Sequence, residues 1–338
     1  MKKFLSHILL VLIIPIAILL AIYLITDPYK TLRPFSLEYF DDTNRDYLSS
    51  ELFLQNIEVQ HYDSYIFGSS RGCGINTYHW LKYLPEGSKQ FLFQGWGETL
   101  TGIEQKITYI DEHGYELKNA IVLLDIPGSF STPQLSKEAL SIKHPSFSHQ
   151  SLFAFQSTLF FDFIQKPSQW SRAISRWAKD QKPYVGFDPI TNDWNGDNKK
   201  ADLSAPPEKD SLQNMSAISR SVFLKEIAGR NDTDLYSTVE PLVVGQYIAQ
   251  LQHIRDIFTR HNTEYRIIIT PAYCYNHPFC NPQDLDTLEQ IFGAENVYDY
   301  SGKNYLTSDY NNFSDPNHFG LYVGWHIIED IYGWKSDE

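Results

Sequence analysis

The sequence predicts an α/β protein whose parallel sheet is covered by helices on both faces, and two observations carry that prediction. Short apolar runs rich in β-branched and aromatic residues recur at 64–67, 90–94, 120–126, 265–270 and 296–300, lengths that suit buried strands. Between most of them, apolar residues repeat at helical spacing. Strands alternating with helices build βαβ units, and these require a parallel sheet with both faces buried.

The first element is different in kind. From 4 to 26 the chain is almost wholly apolar, interrupted mainly by Ser6, His7 and Pro15, and about 20 such residues let a helix cross a bilayer. Lys2 and Lys3 precede it, which favours a cytoplasmic start and a main domain outside the cytoplasm. Lys30 and Arg33 sit just beyond the far end and narrow that preference. A cleaved signal peptide is the alternative, but the run is long for one and Ala21-Ile22-Tyr23 is not a small-x-small cleavage site. The expectation is an uncleaved signal anchor over 1–30 in the cell membrane.

Residues 31–60 read as a connecting segment with one short helix near 46–55. After the first two strands, 98–113 carries Leu100, Ile103, Ile107 and Ile110 in a one-sided stripe. A second stripe over 242–261 runs through Val244, Tyr247, Leu251, Ile254 and Phe258, and 321–332 gives a third. The α/β domain is therefore expected over 61–126 and 241–338. Between them, at 127–240, the alternation stops. This insertion holds aromatic-rich helical stretches at 152–163 and 170–182 and a polar run at 188–210, and it reads either as a lid or substrate platform or as packing plus a mobile loop.

Composition narrows the function classes. With 338 residues, 42% of them hydrophobic, the chain can bury one sizeable core. Its 41 Asp and Glu against 28 Lys and Arg leave a net charge of −13, which argues against gripping a phosphate backbone, so no nucleic-acid partner is expected. No Walker loop and no Gly-x-Gly-x-x-Gly occurs, and neither His144 and His149 with Asp162 nor His253 and His261 have metal-ligand spacing. No cofactor and no metal are expected. The 15% aromatic content suits both core packing and stacking on sugar rings. Cys274 and Cys280 flank a segment containing Pro278 and are read either as a small-loop disulfide, leaving Cys73 single, or with Cys73 as three buried thiols.

Two motifs carry chemistry. The first strand runs into Gly68-Ser69-Ser70-Arg71, and Asp315-Pro316-Asn317-His318-Phe319-Gly320 precedes the last helix. A serine hydroxyl becomes nucleophilic when an imidazole takes its proton and a carboxylate holds that imidazole in the productive tautomer. Asp315, three residues before His318, can fold under the ring and leave the other nitrogen to a serine from elsewhere. Both motifs fall at the carboxyl ends of strands, where sites form in parallel sheets. Arg71, beside the serine, could hold an anionic or hydroxylated substrate, or could pair with Asp125.

A strand-end Gly-x-Ser near the start, a glycine turn after the second strand (Gln94-Gly95-Trp96-Gly97) and Asp-x-x-His before the terminal helix resemble the SGNH/GDSL hydrolase superfamily. In particular it is similar to membrane-anchored members with Gly-Ser-Ser in place of Gly-Asp-Ser, the group that includes the DltD-like and polysaccharide O-acetylation proteins. The resemblance covers about 60–126 and 241–332. It implies a three-layer α/β/α sandwich of flavodoxin-like form. It also implies Ser70 as nucleophile, with Ser69 as the alternative, His318 as base and Asp315 as its orienting acid. The backbone amides of Ser70 and of Gly95 or Gly97 would form the oxyanion hole, with Trp96 and Arg71 near substrate. Where the family has Gly-x-Asn-Asp after the third strand, this chain has Leu124-Asp125-Ile126-Pro127-Gly128. The implied function is an esterase or O-acyltransferase working on acyl esters of an envelope or exported polysaccharide, beside a membrane-bound O-acyltransferase partner. A lipid esterase or lysophospholipase, and a non-catalytic binding or assembly protein, are the other readings.

Overall fold

The structure, a computed structural model, describes residues 2–40, 44–131, 142–179, 186–194, 225, 240–274 and 280–333, with side chains from residue 13 onward. The expected strands form a five-stranded, all-parallel sheet: β1 (Ser64–Gly68), β2 (Gln90–Gln94), β3 (Asn119–Leu124), β4 (Glu264–Ile269) and β5 (Val297–Asp299), in the order β2-β1-β3-β4-β5. The first three strands are buried along their whole length, which is why they read as continuous apolar runs rather than alternating ones.

The helices are α1 (Lys2–Thr26), α2 (Arg45–Gln60), α3 (Thr77–Trp80), α4 (Leu100–Glu112), α5 (Pro145–Ser148), α6 (Leu152–Gln165), α7 (Pro167–Lys179), α8 (Gln246–His261), α9 (Pro282–Phe292) and α10 (Leu321–Tyr332). On one sheet face Ile66, Leu92, Ile121, Leu123 and Ile268 pack with Val323, Ile327, Ile328 and Ile331 of α10. On the other, Phe53 of α2 lies 4.8 Å from Phe93 and 5.8 Å from Phe91 between ring centroids. Thr99 caps α4 by accepting from the Gly102 amide, the local signal that starts this helix.

The chain divides into two compact units, one of 1–51 with 134–185 and one of 52–133 with 186–338. The first has its own core, where Tyr23 meets Phe155, Leu159 and Phe163 of α6 and Ala173 of α7. At the end of α1, Asp27 accepts from the amides of Thr31 at 3.0 Å and Leu32 at 3.1 Å and from the Tyr39 hydroxyl at 2.9 Å.

Among the described residues no helix is long and apolar enough to cross a membrane. α1 runs for 25 residues, but its described side chains begin at Ile13, a stretch shorter than the roughly 20 residues a span needs. In the insertion, 186–194 straps the open edge of the sheet: the Leu92 amide donates to the Thr191 carbonyl at 2.9 Å and Asn192 Nδ2 donates to the Leu92 carbonyl at 2.7 Å. Satisfying an edge strand's free backbone groups removes a template for aberrant pairing. The rest of the 188–210 polar run, and the end of the 170–182 helix, lie outside the described residues.

Candidate active site

The site is built at the carboxyl ends of β1 and β3, where the strand order reverses and loops diverge to leave a crevice. β1 ends at Gly68, and the chain turns at once into a 3-10 turn, Ser70–Gly74. Ser69 caps this turn: its hydroxyl accepts from the Arg71 amide at 3.1 Å and donates to Asp125. The Ser70 side chain is thereby turned out of the sheet and is half-buried.

Asp315 and His318 come from a two-stranded antiparallel hairpin, β6 (Phe313–Asp315) and β7 (His318–Phe319), not from an irregular loop. One carboxylate oxygen of Asp315 accepts from the backbone amides of Asn317 at 2.8 Å and His318 at 3.1 Å, the Asx-type bonding that makes Asp a turn residue. The other lies 2.7 Å from His318 Nδ1, and His318 Nε2 lies 2.8 Å from Ser70 Oγ. An unbroken hydrogen-bonded line therefore runs from carboxylate through imidazole to hydroxyl. Burial alone would raise the Asp315 carboxyl, but the hydrogen bond and charge of His318, with the two amides, hold it below its ordinary value. It is an anion poised to stabilise an imidazolium.

A buried charged network braces the serine turn. Asp125, at the end of β3, accepts from Ser69 and from Thr270 Oγ1 at 2.7 Å, while Arg71 donates to Thr270 at 2.9 Å and lies 3.8 Å from Asp125. Arg71 is buried and engaged by the protein's own groups, which matches the second of its two expected roles, pairing with Asp125. A guanidinium out of water needs a carboxylate close by, and Asp125 supplies it. The sequence reading did not single out Thr270. A threonine directly after a strand is common, and only its approach to Asp125 marks it.

The Gly95 amide donates to the Gly68 carbonyl at 3.1 Å, completing the β1–β2 ladder, so it is not available to an oxyanion. The amides of Ser70 and Gly97 make no hydrogen bond among the described residues. Gly97 is exposed and sits at φ +61°, a left-handed conformation that glycine takes without a side-chain penalty; Trp96 beside it is half-buried. Behind this turn, Glu98 accepts from the Thr99 amide and pairs with Lys106 at 2.5 Å, both fully buried.

Of the two readings of the cysteines, the Cys274–Cys280 disulfide is not formed: Cys274 and Cys280 are buried thiols, and Cys73 is a half-buried one. The backbones of the first two are tied elsewhere, with the Cys274 amide on Thr307 and the Cys280 amide on Ser301. Burial pushes the Cys280 thiol up to about 12, withholding the thiolate that disulfide exchange requires. Among the described residues no three His, Cys, Asp or Glu side chains converge as metal ligands would. No protein-family model matches the chain, and no curated protein is similar to it in sequence.

Proposed function

We propose that this protein is a membrane-anchored, extracytoplasmic serine esterase or O-acyltransferase of the SGNH type, acting on acyl groups of a cell-envelope or exported polysaccharide. The single observation that carries the chemistry is the Ser70–His318–Asp315 hydrogen-bonded line at the end of a parallel strand. Ser70 Oγ attacks the ester carbonyl as His318 Nε2 takes its proton. The carbonyl π electrons move to oxygen and then return to expel the alcohol, which leaves with the proton from His318. Water or a sugar hydroxyl then attacks the acyl-serine by the same steps in reverse order, and Ser70 recovers its proton. Asp315 stays ionised and stabilises the imidazolium throughout. The Ser70 and Gly97 amides are the donors offered to the oxyanion.

Helices on both sheet faces support the three-layer form. The anchor is supported by α1, where Ile13, Ile14, Ile16, Ile18, Leu20, Leu24 and Ile25 are each 40–55% exposed. A helix apolar on all sides needs an apolar surrounding. The polysaccharide substrate and a membrane-bound O-acyltransferase partner rest on the resemblance alone. A non-catalytic binding role is favoured by one observation: the loop after β3 offers no asparagine amide, and its Asp125 is engaged in the buried network.

The test compares full-length wild type with Ser70→Ala in detergent, by fluorophosphonate labelling and p-nitrophenyl ester hydrolysis. We expect labelling to vanish in the variant and turnover to fall at least about 10³-fold. A folded wild type that neither labels nor turns over supports the binding role, and a preference for long-chain over acetyl esters supports a lipid esterase.

A further inference from the structure

The turn that offers the Gly97 amide is gripped by a buried ion pair. Lys106, in the second turn of α4, is 1% exposed. Its ammonium donates to Glu98 Oε2 at 2.5 Å and lies 4.9 Å from the centroid of the Phe93 ring. Glu98 follows Gly97 directly, and Phe93 stands two residues before Gly95. One cation therefore holds both limbs of Gly95-Trp96-Gly97. The incoming limb is also tied through the Gly95 amide to the Gly68 carbonyl at 3.1 Å. On the outgoing limb, Glu98 Oε1 accepts from the Thr99 amide at 3.1 Å, and Thr99 caps α4.

Stability is a weak reason for such a pair. Both side chains are out of water, and apolar side chains of similar volume in place of a buried ion pair often leave a protein as stable or more so. Glu98 alone would serve the start of α4, where a carboxylate is favourable. Lys106 has no such local reason: it brings a strongly hydrated ammonium into the packing between α4 and β2. What it supplies there is a fixed bond across the turn. Gly97 needs one, because it is exposed and left-handed and glycine has more conformational freedom to lose than any other residue. A donor aimed at a developing oxyanion stabilises it fully only if it is in place before the charge forms.

We propose that Glu98 and Lys106 are positioning residues for acyl transfer: their bond sets the Gly95–Gly97 turn so that the Gly97 amide is already aimed when Ser70 attacks. The proposal rests on the reading of Ser70 as nucleophile and of the Gly97 amide as an oxyanion donor. The pair is buried behind the turn and acts through Gly97, whose hydrogen bond strengthens as negative charge gathers on the carbonyl oxygen. Loosening the turn therefore lowers kcat and leaves substrate binding in the ground state nearly unchanged.

The experiment uses the full chain in detergent, with p-nitrophenyl acetate as substrate, and compares wild type with Glu98→Gln/Lys106→Met. This double variant removes both charges, nearly keeps the side-chain volumes and leaves an acceptor for the Thr99 amide. We expect its urea midpoint to equal or exceed that of wild type, kcat to fall about 10-fold to 100-fold and KM to stay within about twofold. Fluorophosphonate labelling should slow in step with kcat. Should the double variant not fold, Lys106→Met alone carries the same expectation for kcat and KM. With wild type active, an unchanged kcat in a folded variant overturns the positioning role and leaves the Ser70 chemistry standing. A rise in KM with kcat kept, a loss of kcat that follows a lowered midpoint, or failure of both variants to fold does the same, the last two by assigning the pair to stability. A folded wild type that neither labels nor turns over overturns the esterase reading, and the positioning role with it.

Discussion

Ser69 and Ser70 are adjacent hydroxyls with opposite duties. Ser69 faces inward, accepting from the Arg71 amide and donating to Asp125, whereas Ser70 faces His318. Ser69→Ala should therefore keep fluorophosphonate labelling at Ser70 but slow it by about 10-fold to 100-fold, because the turn loses its cap and Asp125 loses a donor. Labelling that disappears in Ser69→Ala and persists in Ser70→Ala would assign the nucleophile to the other serine. The Gly-Ser-Ser sequence could not choose between them, because the choice depends on Asp125, 56 residues away from Ser69.

At the scale of elements, the triad depends on α10 lying hard against the serine turn. Gly324, in the first turns of α10, has no room for a side chain: a Cβ there would lie 1.8 Å from the Gly74 carbonyl oxygen. Gly74 in turn meets the ring of Phe319, next to His318. Gly324→Ala should push α10 and its preceding hairpin off the Ser70–Gly74 turn, costing about 1–3 kcal/mol or more from overpacking. The measurable result is a lower urea midpoint together with loss of Ser70 labelling. A variant with wild-type labelling would show that the hairpin holds His318 without help from α10. The apolar stripe of this helix was legible in the sequence; the demand for glycine on its packed side was not, since backbone contact leaves no periodic signal.

For the whole molecule, pH acts through two buried groups beside α3. His79 is stacked 3.4 Å from Trp325 at 4° between planes. Its burial first, and then the Lys82 ammonium, bring it down from 6.5 to about 4. A depressed histidine stays neutral in the fold while the unfolded chain takes up a proton, so its contribution is intact above pH 6.5 and is lost as pH falls toward about 4. Asp193 works in the opposite sense. Burial raises it from 3.8 to about 6, so its relative stabilisation is complete below 3.8 and is lost as pH rises through about 6. Comparing wild type with His79→Phe by urea unfolding between pH 7 and 4 cancels the aspartate, and the variant should gain stability relative to wild type as pH falls. A constant difference across that window would mean that His79 titrates normally in the fold.

The sequence by itself determined the five strands, the main helices and the two motifs, because each is written in local periodicity or in a few adjacent residues. It also placed Asp315 and His318 together, since a turn of three residues is a local matter. What only the tertiary structure decided involves residues distant along the chain. Ser70 meets a histidine 248 positions away, Arg71 turns inward to Thr270 and Asp125, and Gly95 gives its amide to Gly68. The strap over β2 and the free thiols of Cys274 and Cys280 belong with these. Each depends on which segments the sheet brings side by side, and a donor commits to its partner only once the chain has packed and water has left.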